Sequence, residues 1–129
     1  MGKTADKLTA AEREQYHLYA KMRQAKAEQE LAARRQRAWE LAREAARLLR
    51  EHHDVIRVAV FGSLLDESRF TMASDVDIAA WGIPAEKTFR AMSDVWDLGI
   101  VEGIPINLVD INACRQSLRE AIYREGVDI

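Results

Sequence analysis

The chain is poor in the residues that cross-link or interrupt a fold. Of its 129 residues only one is cysteine, so no internal disulfide can form, which suits a reducing compartment. Cys114 has no base near it in sequence and reads as a small helix-face residue, not a nucleophile. No apolar run approaches the length of a membrane span, and Met1-Gly2-Lys3-Thr4 lacks the apolar core of a signal peptide. A cytoplasmic protein with no membrane contact is expected. Proline occurs twice and glycine six times, and neither falls between Thr9 and His52. Repeats, low-complexity runs and flexible linkers are absent.

What is present is enough for one modest core: 48% of the residues are apolar and 31% charged, a globular balance. The net charge of −2 is uneven. Residues 1–52 hold twelve Lys/Arg against eight Asp/Glu, and residues 53–129 hold seven against thirteen. The two parts therefore have different partners or face one another. The basic charges are interleaved with Glu, which reads as a solvated helix surface and argues against direct nucleic-acid binding.

Residues 1–8 read as frayed. Thr9-Ala10-Ala11-Glu12 fits a capping box, and the good helix formers Ala, Glu, Arg, Gln and Leu then dominate to His52. An unbroken helix of that length would span about 65 Å. Either it breaks, or its first half packs on something else. From Leu31 onward, Ala38, Leu41, Ala42, Ala45, Leu48 and Leu49 recur at helical spacing and should pack on the rest of the fold, with Trp39 at the edge of the stripe. The first half offers the thinner stripe Tyr16, Tyr19, Ala20, Met22 and Ala27. It is either a helix ordered by its own propensity or an arm for a second subunit or partner. Residues 1–52 are thus taken as a long N-terminal helical arm and 53–129 as the domain proper. His17, His52 and His53 form no metal-ligand spacing with the cysteine, and His52-His53 reads as a charge complement to the helix end.

The informative stretch runs from Val58 to Trp81. Val55–Phe61 reads as a buried strand that stops at Gly62-Ser63, and a short helix is expected from Ser63. After an eleven-residue spacer, Asp75-Val76-Asp77 opens a second strand ending at Trp81. Alternation puts Asp75 and Asp77 on one face and Val76, Ile78 and Ala80 on the other. Two close carboxylates repel unless a cation lies between them, and Mg²⁺ takes one or two carboxylates together with substrate phosphates. Gly62 lets the backbone approach a phosphate, and N–H groups at Ser63 could point to it.

Beyond Trp81 a helix is expected with Pro84 at its first position, Phe89, Met92, Val95 and Trp96 buried, and Gly99 just past its end. A third strand follows over Ile104–Val109. A last helix, capped by Asn112, buries Leu118, Ala121 and Ile122 before Gly126. The fold class is α+β, a two-layer arrangement of a small mixed sheet packed by helices, with the long helical extension.

An apolar strand, Gly-Ser, a spacer and Asp-x-Asp on the next strand resemble the nucleotidyltransferase superfamily typified by DNA polymerase beta, and within it the minimal, MNT-type domains. The resemblance covers about Asp54 to the C-terminus. It implies a polymerase-beta type sheet, Mg²⁺ on Asp75 and Asp77, and ATP as nucleotide substrate, with Gly62, Ser63, Arg69 and Ser74 around the phosphates. It implies transfer of AMP to a hydroxyl, as when an MNT antitoxin adenylylates a tyrosine of its HEPN toxin. A HEPN-type partner, or a homo-oligomer through the N-terminal helix, follows as the expected partner. Where the pattern carries Ala-Arg-Gly after the Ser, this chain has Leu64-Leu65-Asp66, and Arg69 is the loop's only cation. The pattern's third carboxylate falls at Asn107, which shares a face with Val109 while Ile106 and Leu108 take the core side. Asn107 offers an oxygen but cannot act as a base. Asp110 has the wrong parity unless the strand ends or bulges before it. Two readings stand: a nucleotidyltransferase, or a catalytically weakened chain that neutralises its partner by binding.

Overall fold

The computed structural model describes residues 7–129. The expected fraying over residues 1–8 falls mostly outside them. Thr9 closes the capping box: its hydroxyl oxygen accepts the Glu12 N–H at 3.1 Å and donates to the Glu12 carboxylate at 3.2 Å. Helix α1 then runs unbroken over Ala10–His52. The absence of glycine and proline explains why nothing interrupts it.

Two compact units divide the chain, one ending at Ala33 and one spanning Arg34–Ile129. In the first, α1 leaves Tyr16, Leu18, Tyr19 and Met22 exposed. In the second, Ala38, Leu41, Ala42, Ala45, Ala46 and Leu49 of α1 are buried, at the expected helical spacing.

The second unit is built on a four-stranded mixed sheet in the order β3-β2-β1-β4. Strand β1 (Arg57–Phe61) lies antiparallel to β2 (Val76–Trp81), which lies parallel to β3 (Ile106–Asp110). The parallel pair is joined through helix α2 (Thr88–Ile100), as such a connection requires. Helix α3 (Gln116–Glu125) ends at Gly126 and leads into β4 (Val127–Asp128), antiparallel to β1. Among the described residues no helix is long and apolar enough to cross a membrane.

One sheet face carries the buried Val58, Val60, Val76, Ile78, Ile106 and Leu108. The other carries Ala79 under α3, packed with Ile111, Ile122, Phe61, Trp81, Val109 and Leu118. Asp77 is on this second face by alternation, directly across from Phe61 at the edge of that cluster.

Several local expectations are revised. Strand β1 starts at Arg57 rather than Val55, and β3 at Ile106 rather than Ile104. The helix expected at Ser63 is a single 3-10 turn, Gly62–Leu65. Pro84 precedes a separate 3-10 turn, Ala85–Lys87, and α2 starts only at Thr88. Its buried residues are Ala91, Val95 and Gly99, a stripe of small side chains, whereas Phe89 is 87% and Trp96 43% exposed. Gly99 lies within α2: a Cβ there would sit 2.1 Å from the Ile104 carbonyl oxygen, so close approach to the backbone entering β3 requires glycine. Arg115, not Asn112, precedes α3. His52 lies in the last turn of α1 as expected, whereas His53 is buried with Nε2 2.7 Å from the Asp94 carboxylate.

Candidate functional site

The site forms where three chain segments meet at one end of the second sheet face. Strand register sets Asp77 opposite Phe61 on β1 and opposite Asn107 on β3. Asp75 lies one residue before β2, half-buried like Asp77. The Asn107 side-chain amide donates to both carboxylates, to Asp75 Oδ2 at 3.3 Å and to Asp77 Oδ1 at 3.2 Å. One nitrogen thus reaches both acids and places a shared donor between two like charges.

Gly62 closes the site from the β1 side. Its φ of +79° belongs to the left-handed region, and a Cβ there would lie 2.6 Å from Asp77 Oδ2. The backbone conformation therefore favours glycine, and any side chain there would push the Asp77 carboxylate aside. Burial pushes the Asp77 carboxyl above the ordinary aspartate range; the charge of Asp75 pushes the same way and the Asn107 hydrogen bond opposes both.

The remaining expected residues lie around this centre with other partners. Ser63 carries the 3-10 turn, its carbonyl accepting the Asp66 N–H at 3.1 Å. Ser74 Oγ accepts the Thr71 N–H at 2.9 Å and so closes the turn that delivers Asp75. Arg69 is exposed, and its charge acts on Asp66. Asp66 is held below the ordinary range chiefly by the Ser68 hydroxyl and backbone N–H, with smaller help from Arg69 and Arg35. Asp110 pairs with Ala80 in unbroken register and accepts the Asn112 N–H at 3.0 Å. It stands three residues beyond Asn107, roughly 10 Å along the strand, on the other face. The structure brings Asp75, Asp77, Asn107 and Gly62 together and leaves Asp110 outside.

The chain has the fold of a minimal nucleotidyltransferase. A solved toxin–antitoxin structure with AMP-PNP matches at a TM-score of 0.54 and 19% identity, over 67% of this chain and 70% of that one. A structure named for a minimal nucleotidyltransferase matches at 0.52 and 24% identity, over 79% of this chain and 95% of that one. The complex of tri-AMPylated HEPN toxin with MNT antitoxin from Shewanella oneidensis matches at 0.50 and 18%, over 70% of each chain. No protein-family model matches the chain, and no curated protein does.

The donor set fits one hard divalent cation. Asp75 and Asp77 offer two carboxylates on one side, the number Mg²⁺ commonly takes from protein when phosphates and water supply the rest. A third acid is lacking: among the described residues no three His, Cys, Asp or Glu side chains are grouped so as to hold a metal ion. Two residues that the sequence pattern did not single out also reach the site segments. Arg35 donates from Nε and Nη2 to the Leu64 carbonyl at 3.3 and 2.9 Å. Arg34 Nη2 donates to the carbonyls of Ser74 and Gly103 at 3.2 and 3.1 Å. Their only sequence signal is two adjacent arginines at the start of the apolar half of α1, where a solvated pair is the ordinary reading.

Proposed function

We propose that this chain is an MNT-type nucleotidyltransferase that binds ATP with Mg²⁺ and moves AMP onto a hydroxyl, the tyrosine of a HEPN-type toxin for which it is the antitoxin. The observation that carries this reading is the meeting of Asp75 and Asp77 on one face with Gly62 against Asp77 Oδ2. The antitoxin role and the tyrosine acceptor rest on the toxin–antitoxin structures that share the fold.

Asp75 and Asp77 would hold the cation, which supplies neutralisation of phosphate charge and activation of the acceptor hydroxyl. Gly62, without a side chain, leaves room for the triphosphate beside Asp77. Asn107 orients both carboxylates through its amide and contributes no charge and no base. Ser63, Arg69 and Ser74 border the nucleotide in this reading; Arg69, exposed on its loop, is the residue free to approach phosphate from solvent. A second reading is favoured by Asn107 itself. With a neutral residue opposite Asp77, nucleotide binding survives while transfer slows, and the chain neutralises its partner by gripping it with α1.

Incubation with α-labelled ATP, Mg²⁺ and the product of the neighbouring gene separates the two. Label on the partner's tyrosine supports the transferase. A stable complex that inhibits the partner without label supports the binder. Neither label nor complex overturns both.

A further inference from the structure

Three segments must be held in register for the site to exist: the Gly62–Leu65 turn, the approach to Asp75, and the approach to Asn107. The sheet fixes Asp77 against Asn107 and Phe61, but Asp75 lies before β2, and the Gly62–Leu65 turn lies beyond β1. The Val76 N–H donates to the Pro105 carbonyl at 2.9 Å and joins two of these segments, and two adjacent residues of α1 reach all three. The Arg35 guanidinium places two N–H groups on the Leu64 carbonyl, one residue past Ser63. Arg34 Nη2 bridges the carbonyl of Ser74, next to Asp75, and that of Gly103, on the loop entering β3.

We propose that Arg34 and Arg35 are positioning residues that latch the three site segments to helix α1 and so set the Asp75–Asp77–Asn107 geometry. This rests on the nucleotidyltransferase reading for its consequence, not for its geometry. Adjacent helix positions point about 100° apart, so neighbouring arginines fan out to two different loops. A planar fork fixed by delocalisation can hold a carbonyl with two N–H groups, which a lysine ammonium on a flexible stem does not reproduce. Nor is the pair explained by helix propensity: Lys, Gln or Glu would serve α1 as well. Arg34 Nε is moreover buried with no hydrogen-bond partner, a cost that a residue present only for solubility would not incur. The nearby Arg37 offers a contrast. Its Nε and Nη2 meet the Glu102 carboxylate at 2.6 Å each, on the surface of the loop before β3, and its hydrogen bonds reach neither the 62–66 nor the 74–77 segment.

The test compares the full chain with Arg34→Ala, Arg35→Ala, Arg35→Lys and Arg37→Ala by residue-resolved amide hydrogen exchange, and by Mn²⁺ binding to the folded protein. A lost hydrogen bond from a charged donor corresponds to roughly tenfold or more in a local opening equilibrium. Exchange over 62–66 should rise by about that factor in Arg35→Ala, and over 74–77 in Arg34→Ala, with α3 unchanged. Mn²⁺ affinity should fall in both, recover in part in Arg35→Lys, and stay level in Arg37→Ala. Exchange at those segments within about twofold of the wild type overturns the latch. So does a uniform rise that includes α3 with unmoved Mn²⁺ affinity, because a merely structural role predicts that pattern. Should the wild type bind neither Mn²⁺ nor Mg-ATP, the nucleotidyltransferase reading fails, and the exchange pattern alone upholds or overturns the latch.

Discussion

Asp77 is the residue on which structure and chemistry pull in opposite directions. Burial and the charge of Asp75 raise its carboxyl pKa in the fold. A folded pKa above the unfolded one means that the protonated acid favours the fold. That contribution is complete below the ordinary aspartate pKa and is lost as pH rises through the raised value. At neutral pH the ionised pair therefore costs stability when no cation is bound. Asp77→Asn keeps the shape and an acceptor for Asn107, so the metal-free variant should melt higher than the wild type at neutral pH, with the gap closing in acid. A scan showing equal or lower melting at neutral pH contradicts this. By the same sign, Mg²⁺ affinity of the wild type should weaken on acidification sooner than an ordinary aspartate would give, a trend that titration at several pH values reads directly. Gly62→Ala forces a left-handed backbone onto alanine and a methyl against Asp77 Oδ2. It should cost about 1–3 kcal/mol in denaturant unfolding, and an unchanged midpoint would remove the reason given for glycine there. Asn107→Asp adds a charged ligand and should raise the transfer rate by on the order of 10²-fold or more. Asp110→Asn should leave the rate alone, since that carboxylate caps Asn112. The reverse pattern in paired rate measurements would move the third position to 110.

At the scale of elements, legibility followed length and chemical distinctiveness. Helix α1 and strand β2 were readable because a capping box with no breakers, and a run of alternating residues behind Asp-x-Asp, each leave few alternatives. The carboxylate pair and the glycine were readable for the same reason. Helix α2 was readable as a helix but not as a face. Of the expected stripe Val95 is buried, but Phe89 and Trp96 are exposed, and Ala91 and Gly99 lie inside beside Val95. At Gly99 a Cβ would lie 2.1 Å from the Ile104 carbonyl oxygen, so close approach to the backbone entering β3 admits only a small residue at that point of the face. Strand β4 was illegible because two residues carry no period, and Arg35 because its partner is a backbone carbonyl that leaves no trace in sequence. For the first half of α1, exposed Tyr16, Leu18, Tyr19 and Met22 support an assembly element. Removing residues 1–28 should leave a folded domain whose oligomer or partner complex has changed. Identical light scattering and partner capture with and without the segment would dismiss the arm.

For the molecule as a whole, the uneven charge and the fold converge on one account. In the proposed account the acidic part, residues 53–129, would present Asp75 and Asp77 to a cation and a nucleotide, while the exposed apolar side chains of the first half of α1 would meet a partner. Both the transferase and the slow, partner-gripping chain need the same centre, so the claim beneath them is that Asp75 and Asp77 hold Mg-ATP. Calorimetric titration of Mg-ATP into the wild type and into Asp77→Asn tests it most directly. The account predicts Mg²⁺-dependent binding to the wild type and at least about a tenfold weaker affinity in the folded variant, the loss of one charge-assisted ligand. Equal affinity in the two proteins would contradict it.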